Sequence, residues 1–169
     1  ACTSLSEITV DALNSFYSSV DGVLFNKSQT TLIQCGGGKA GGYTVPAGVT
    51  SIGNSAFYYC TSLTSVTVPN SVASIGDSAF AYCTNLTNVT VGSGVTNIES
   101  FAFEYCSSLT GVYFKGNAPS DDSPVFVWAN NVTIYYLPGT TGWGATFGSR
   151  STVLWNPQTQ DFGVRTNRF

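Results

Sequence analysis

Five cysteines, nine carboxylates and no histidine in 169 residues limit the chemistry this chain can carry. Without His the usual general base near neutral pH is missing, and with it the His-based nucleophile triads and most zinc sites. No catalytic residue, no metal and no cofactor is therefore expected. Cys60, Cys83 and Cys106 recur every twenty-three residues, which is not a ligand spacing. A Cys that returns at a constant period and points inward behaves as a small hydrophobe, and stacked, parallel side chains are badly oriented for disulfides. Cys2 occupies the same position of an incomplete row, where missing cover would leave it exposed, and Cys35 stands outside the pattern, so Cys35 first and Cys2 second are the expected reactive thiols. The adjacent carboxylates Asp121 and Asp122, between Pro119 and Pro124, read as a solvated turn, since they lack the Gly-turned Asp ladder of a calcium loop. The run from Gly36 to Gly42 holds Lys39 but lacks the Lys-Ser/Thr ending of a phosphate loop, and reads as a flexible joint.

The spacing of those cysteines belongs to a longer period. The row Ile52-Gly-x-x-Ala56-Phe57-x-x-Cys60-x-x-Leu63-x-x-Val66-x-Val68-Pro69-x-x-Val72 returns in its apolar positions from Ile75 to Val95 and again from Ile98 to Phe114, each time twenty-three residues on. A decayed row follows in phase, with Phe126, Ala129 in the Cys position, Val132 and Tyr135-x-Leu137-Pro138. Upstream, Cys2-x-x-Leu5-x-x-Ile8-x-Val10 is the second half of such a row. With half a row at its start and no Met, the chain is expected to be a piece of a longer array. Within a row, a β-branched alternation such as Thr64 to Val68, closed by Pro69, suits a short strand. Asp77 to Cys83 reads as one helical turn, with Asp77 or Asn54 as the N-cap. One row cannot bury its own apolar edge, whereas stacked rows can. The expected fold is an α/β solenoid, with one parallel sheet built from strands near 8–10, 43–45, 66–68, 89–91, 112–114 and 135–137 and short helical turns opposite.

These rows resemble the BspA-like, treponemal-type leucine-rich repeat of 23 residues found in bacterial surface and secreted proteins. Residues 20–35 are similar to an insertion common between such repeats, and by themselves read as two strands joined by a polar turn at 26–29. The expected organisation is a half repeat at 1–10, a hairpin-like insertion at 11–42, repeats at 43–138, a C-terminal cap at 139–157 and a linker at 158–169. The resemblance implies a non-enzymatic binding or adhesion module, outside the cell or on its surface, with a protein or glycan ligand. A structural spacer without a ligand of its own is the alternative.

Composition supports the absence of some partners. Only 9% of residues are charged and the net charge is −3, so there is no basic footprint for nucleic acid or an anionic membrane surface. No apolar run approaches the roughly eighteen residues of a membrane span, so no membrane insertion is expected. A monomer is expected, with end-to-end contacts conceivable at the incomplete first row. What remains is the outward face of the sheet. Its central column reads Thr9, Thr44, Thr67, Thr90, Tyr113 and Tyr136, flanked by Ser65, Asn88 and Lys115. Such a column also suits any parallel sheet with one wet face. The change from Thr to Tyr nonetheless singles out Tyr113, Tyr136, Lys115, Asn88, Thr90 and Thr67 as candidate ligand-binding residues, because exposed aromatic rings are frequent interface anchors. The Tyr59, Tyr82, Tyr105 column repeats more strictly and reads as structure.

Overall fold

The computed structural model describes residues 2–120 and 124–156. The expected linker at 158–169 and the pair Asp121 and Asp122 lie outside the described residues. Three strands open the fold: β1 (Tyr17–Val20), β2 (Val23–Asn26) and β3 (Thr31–Cys35). Then longer and two-residue strands alternate: β4 (Gly41–Thr44), β5 (Ser51–Ile52), β6 (Leu63–Val68), β7 (Ser74–Ile75), β8 (Asn88–Val91), β9 (Asn97–Ile98) and β10 (Gly111–Phe114). β11 (Thr133–Tyr136), β12 (Thr146–Phe147) and β13 (Arg150–Leu154) complete the chain.

Strands β4, β6, β8, β10, β11 and β13 lie side by side in a parallel main sheet, with β12 antiparallel against β13. The two-residue strands stack in parallel as a second sheet, which β3 continues and which β2 and β1 extend as antiparallel neighbours. Each coil is therefore a main-sheet strand, a bend, a second-sheet strand and a turn segment. The alternation in β6 explains the layering, because Leu63, Val66 and Val68 are buried while Thr64 and Thr67 face water. Val66 pairs with Val89 and Ile52 with Ile75, so like residues stack into continuous columns.

No helix occurs among the described residues, which corrects the expected helical turns. Two features prevent one. Ser55, Phe57 and Tyr59 donate their N–H groups to Asp77, Ala79 and Ala81 of the next coil at 2.7–3.0 Å, so alternate amides and carbonyls are committed between coils. Ser55, Tyr59, Ser78 and Tyr82 also have positive φ, which a right-handed helix cannot contain. What forms is a row of four-residue turns, Ala56 N to Gly53 O, Tyr58 N to Ser55 O and Cys60 N to Phe57 O. Asn54 does not cap its own turn: its Oδ1 accepts the Asp77 N–H of the following coil at 3.1 Å.

The N-terminal half row also departs from expectation. Residues 8–10 do not join the main sheet, whose edge is β4. Ile8 N–H donates to Gly22 O and Val10 N–H to Ser19 Oγ, both at 2.9 Å, so this arm runs along the inserted β1–β2 hairpin. The place beneath the first coil is filled instead by Val23, Phe25 and Leu32 of that insertion, all fully buried. The glycine run is a packing surface and not a joint. A Cβ on Gly36 would stand 2.2 Å from Leu5 O, and the Gly38 N–H donates to that same carbonyl at 2.9 Å. Only a residue without a side chain lets the arm lie so close.

Phe57, Phe80, Phe103 and Phe126 form the centre of the core, stacked at centroid distances of 4.8, 5.1 and 5.4 Å. Beside them the thiols of Cys83 and Cys106 donate to the carbonyls of Phe57 and Phe80 one coil back, each at 3.1 Å. Side chains lie over the core at each end. Lys39 Nζ lies 5.6 Å from the centre of the Tyr43 ring at the first coil. Trp143 and Phe147 close over Phe114 and Phe126 at the last.

Candidate functional site on the main sheet

In a strand, residues two apart share a face, and parallel register carries that face from coil to coil. The register places Thr44, Thr67, Thr90 and Tyr113 in one outward column. The next member is Tyr135, not Tyr136, because Tyr113 pairs with Tyr135 and Phe114 with Tyr136. The reason is a one-residue deletion. Leu109 to Val112 spans three positions where Val132 to Ile134 spans two, so the fourth coil repeats after twenty-two residues at its strand. A shift of one exchanges the faces of every side chain that follows it. Tyr136 therefore falls in the inward column of Val91 and Phe114 and stacks on Trp143 at 5.3 Å beneath the cap. Thr9 is absent from the column, since its arm is not in the sheet.

Three rings then meet on the outward face. Tyr113 and Tyr135 stack at 4.8 Å with their planes 9° apart, and Trp155 stands edge-on to Tyr113 at 5.1 Å. The backbone N–H of Trp155 donates to Tyr136 O at 2.7 Å, which fixes the chain at that point. The Tyr113 ring lies over Gly111, where a Cβ would come within 2.9 Å of its Oη. Val153, the next member of the column, is exposed beyond the rings. Of the other candidates, Lys115 and Asn88 are exposed, Thr67 is exposed and Thr90 is half-buried. Asn88 pairs with Gly111 in register, which places it one row from the Tyr113 ring, and its Nδ2 donates to Thr87 Oγ1 at 3.0 Å. The strands of the main sheet contain no carboxylate. Trp155 had no signal in the repeat pattern, because it lies past the last row.

The four buried thiols offer no accessible site of reaction. Cys35 is 1% exposed, which corrects its expected reactivity. A hydrogen bond with Cys60, and then burial, push its thiol far above the ordinary range. It extends the cysteine column by one coil, both Cys35 and Cys60 lying within 3.6 Å of Gly36 O. Burial likewise pushes Cys106 up to about 12. Cys2 alone of the five is exposed.

Residues 40–141 match the BspA type leucine rich repeat region, in six copies. Comparison with curated proteins returns no match. Among solved structures, a leucine-rich repeat protein from Bacteroides capillosus is 30% identical over 72% of this chain and 99% of its own, with a TM-score of 0.59. One from Eubacterium ventriosum superposes with a TM-score of 0.68 at 24% identity, over 78% of this chain. A leucine rich cell surface protein from Faecalibacterium prausnitzii is 28% identical over 85% of this chain, with a TM-score of 0.53. The matched part amounts to 36% of the Eubacterium chain and 46% of the Faecalibacterium chain.

Proposed function

The chain belongs to the BspA-type leucine-rich repeat family, and from that premise we propose that it is a non-enzymatic binding module of a secreted or surface-attached bacterial protein. Its ligand is a protein or a glycan, met by the outward face of the main sheet at its C-terminal end. The observation that carries this is the cluster of Tyr113, Tyr135 and Trp155. Outward positions do not feel the core, and the coils before this point place Thr there. Three rings gathered on a face without carboxylates form an amphipathic platform, of the kind that supplies contact area at low conformational cost. Lys115 and Asn88 add donors at its margin, and Thr90 and Thr67 continue it as a hydroxyl-bearing shelf. The likeness to a leucine rich cell surface protein supports the location.

An array of glycans and extracellular-matrix proteins probed with wild type and with Tyr113→Ala/Tyr135→Ala tests this. Loss of binding with an unchanged melt is the expected result. Binding that survives the double substitution, or no binding by the wild type, retires the reading in favour of a spacer that presents neighbouring domains.

A further inference from the structure

A second aromatic array lies outside both sheets, on the turn segments. Tyr59, Tyr82, Tyr105 and Trp128 stack ring upon ring at 4.6, 4.8 and 5.9 Å. Tyr58 meets Tyr59 and Tyr82 edge-on. The array opens to solvent toward its last two rings, Tyr105 being 38% and Trp128 59% exposed, while Tyr59 and Tyr82 are half-buried. All four residues of the stack have left-handed backbone, with φ of 59°, 62°, 52° and 58°. Glycine adopts that conformation freely and asparagine tolerates it, while for a bulky side chain it is an outlier. Core packing does not require these rings, because the inward column of the same segments is Phe57, Phe80, Phe103 and Phe126. Four times, then, the chain places an aromatic ring at a surface position whose backbone favours the smallest residue.

The charge around the array has one sign. Residues 53–60, 76–83, 99–106 and 124–129 contain Asp77, Glu99 and Glu104 and neither Lys nor Arg. Glu104 is close enough to act on the stack, since desolvation first and then its carboxylate raise the Tyr82 phenol. The cation that reaches the last coil, Arg150, donates to Phe126 O at 2.8 Å and to Asn130 Oδ1 at 3.1 Å. The outward main sheet shows the opposite arrangement, with Lys115 at its margin and no carboxylate in its strands.

We propose that the turn-face array docks a cationic, Arg- and Lys-bearing extended segment of a partner protein, with Tyr105, Trp128 and Glu104 as its main contacts. Both faces of Tyr82 and Tyr105 are covered by stacked neighbours, so the face offered to a guanidinium or ammonium group is the outer one of Trp128, while the Tyr105 phenol oxygen and the Glu104 carboxylate accept its N–H groups. Asp77 and Glu99 add to the field that draws such a segment in and excludes acidic ones. This surface is independent of the main-sheet platform.

The test uses the whole chain and a fluorescent Arg-Gly repeat peptide, with Gln-Gly and Glu-Gly peptides of equal length as controls, read by anisotropy in low and moderate salt. The Arg peptide should bind saturably and more weakly in higher salt, and the controls should not bind. Tyr105→Asn/Trp128→Asn keeps a residue that suits the left-handed backbone, and should weaken binding about tenfold or more with the melt unchanged or raised. Glu104→Gln should weaken it about threefold to tenfold, and Tyr113→Ala/Lys115→Gln on the main sheet should leave it unchanged. If the double variant loses stability, Trp128→Asn alone decides, because that ring is the most exposed of the four. No saturable binding, binding that survives the Tyr105, Trp128 and Glu104 substitutions, or binding lost only in the main-sheet variant overturns the proposal.

Discussion

A repeated cysteine can be a ligand, a nucleophile or a piece of core, and here the thiols of the repeated column also have a bonding role. The S–H groups of Cys60, Cys83 and Cys106 donate to a carbonyl one coil back, which apolar Ala cannot do, and Ala129 ends the column in the decayed row. Alkylation without denaturant should label Cys2 and leave Cys35, Cys60, Cys83 and Cys106 intact, as peptide mass spectrometry would show. Labelling of Cys35 at a rate near that of Cys2 would contradict its burial. The Cys106 thiol makes stability pH-dependent at the alkaline end. Burial raises Cys106 to about 12 from an ordinary value near 9. Its contribution is complete below the unfolded value and declines as pH rises through the folded one, because only the unfolded thiol ionises in between. Between about pH 9 and 12 that is a loss of about 1.4 kcal/mol per pH unit for this thiol. Urea midpoints for Cys106→Ala should start lower, from the lost packing, and fall less steeply with pH over that interval than those of wild type.

At the scale of the element, the unit of stability is the stacked pair of coils. Phe80 lies between Phe57 and Phe103, at 4.8 and 5.1 Å, and is wholly buried. Phe80→Ala should cost about 3–5 kcal/mol in a chemical melt, since both neighbouring coils lose a packed face. Tyr82→Ala should cost less, its ring being half-buried and its left-handed backbone strained by any side chain. The reverse order would mean that the surface stack, not the phenylalanine column, holds the coils together. The fourth coil shows how far one residue matters. A deletion that barely disturbs the apolar pattern moves Tyr136 under the cap and brings Tyr135 to the surface.

For the whole molecule the ends decide, because a stack of identical coils has no reason to stop. The hairpin β12–β13 closes one end, with Phe147 2% exposed against Phe114, Phe126 and Trp143. Phe147→Ala should cost about 3–5 kcal/mol and expose the last coil. Concentration-dependent association in size-exclusion chromatography should accompany the lowered melt, as expected of an uncovered solenoid end. A monomer with a wild-type melt would show that the cap is dispensable. The sequence by itself determined the period, the parallel main sheet, the inward columns of Phe, Cys, Leu and Val, and the position of the outward Thr column. All of these follow from spacing, because a strict repeat stacks each residue on its own kind. The tertiary structure decided what spacing cannot carry. The buried place of Cys35 and the tight seat of Gly36 under Leu5 depend on an insertion that belongs to no row. The exchange of Tyr136 for Tyr135 depends on where between Val132 and Ile134 the chain absorbs its missing residue. Turns form in place of helices because backbone bonds between coils compete with those within one, and only the assembled stack settles which of them wins.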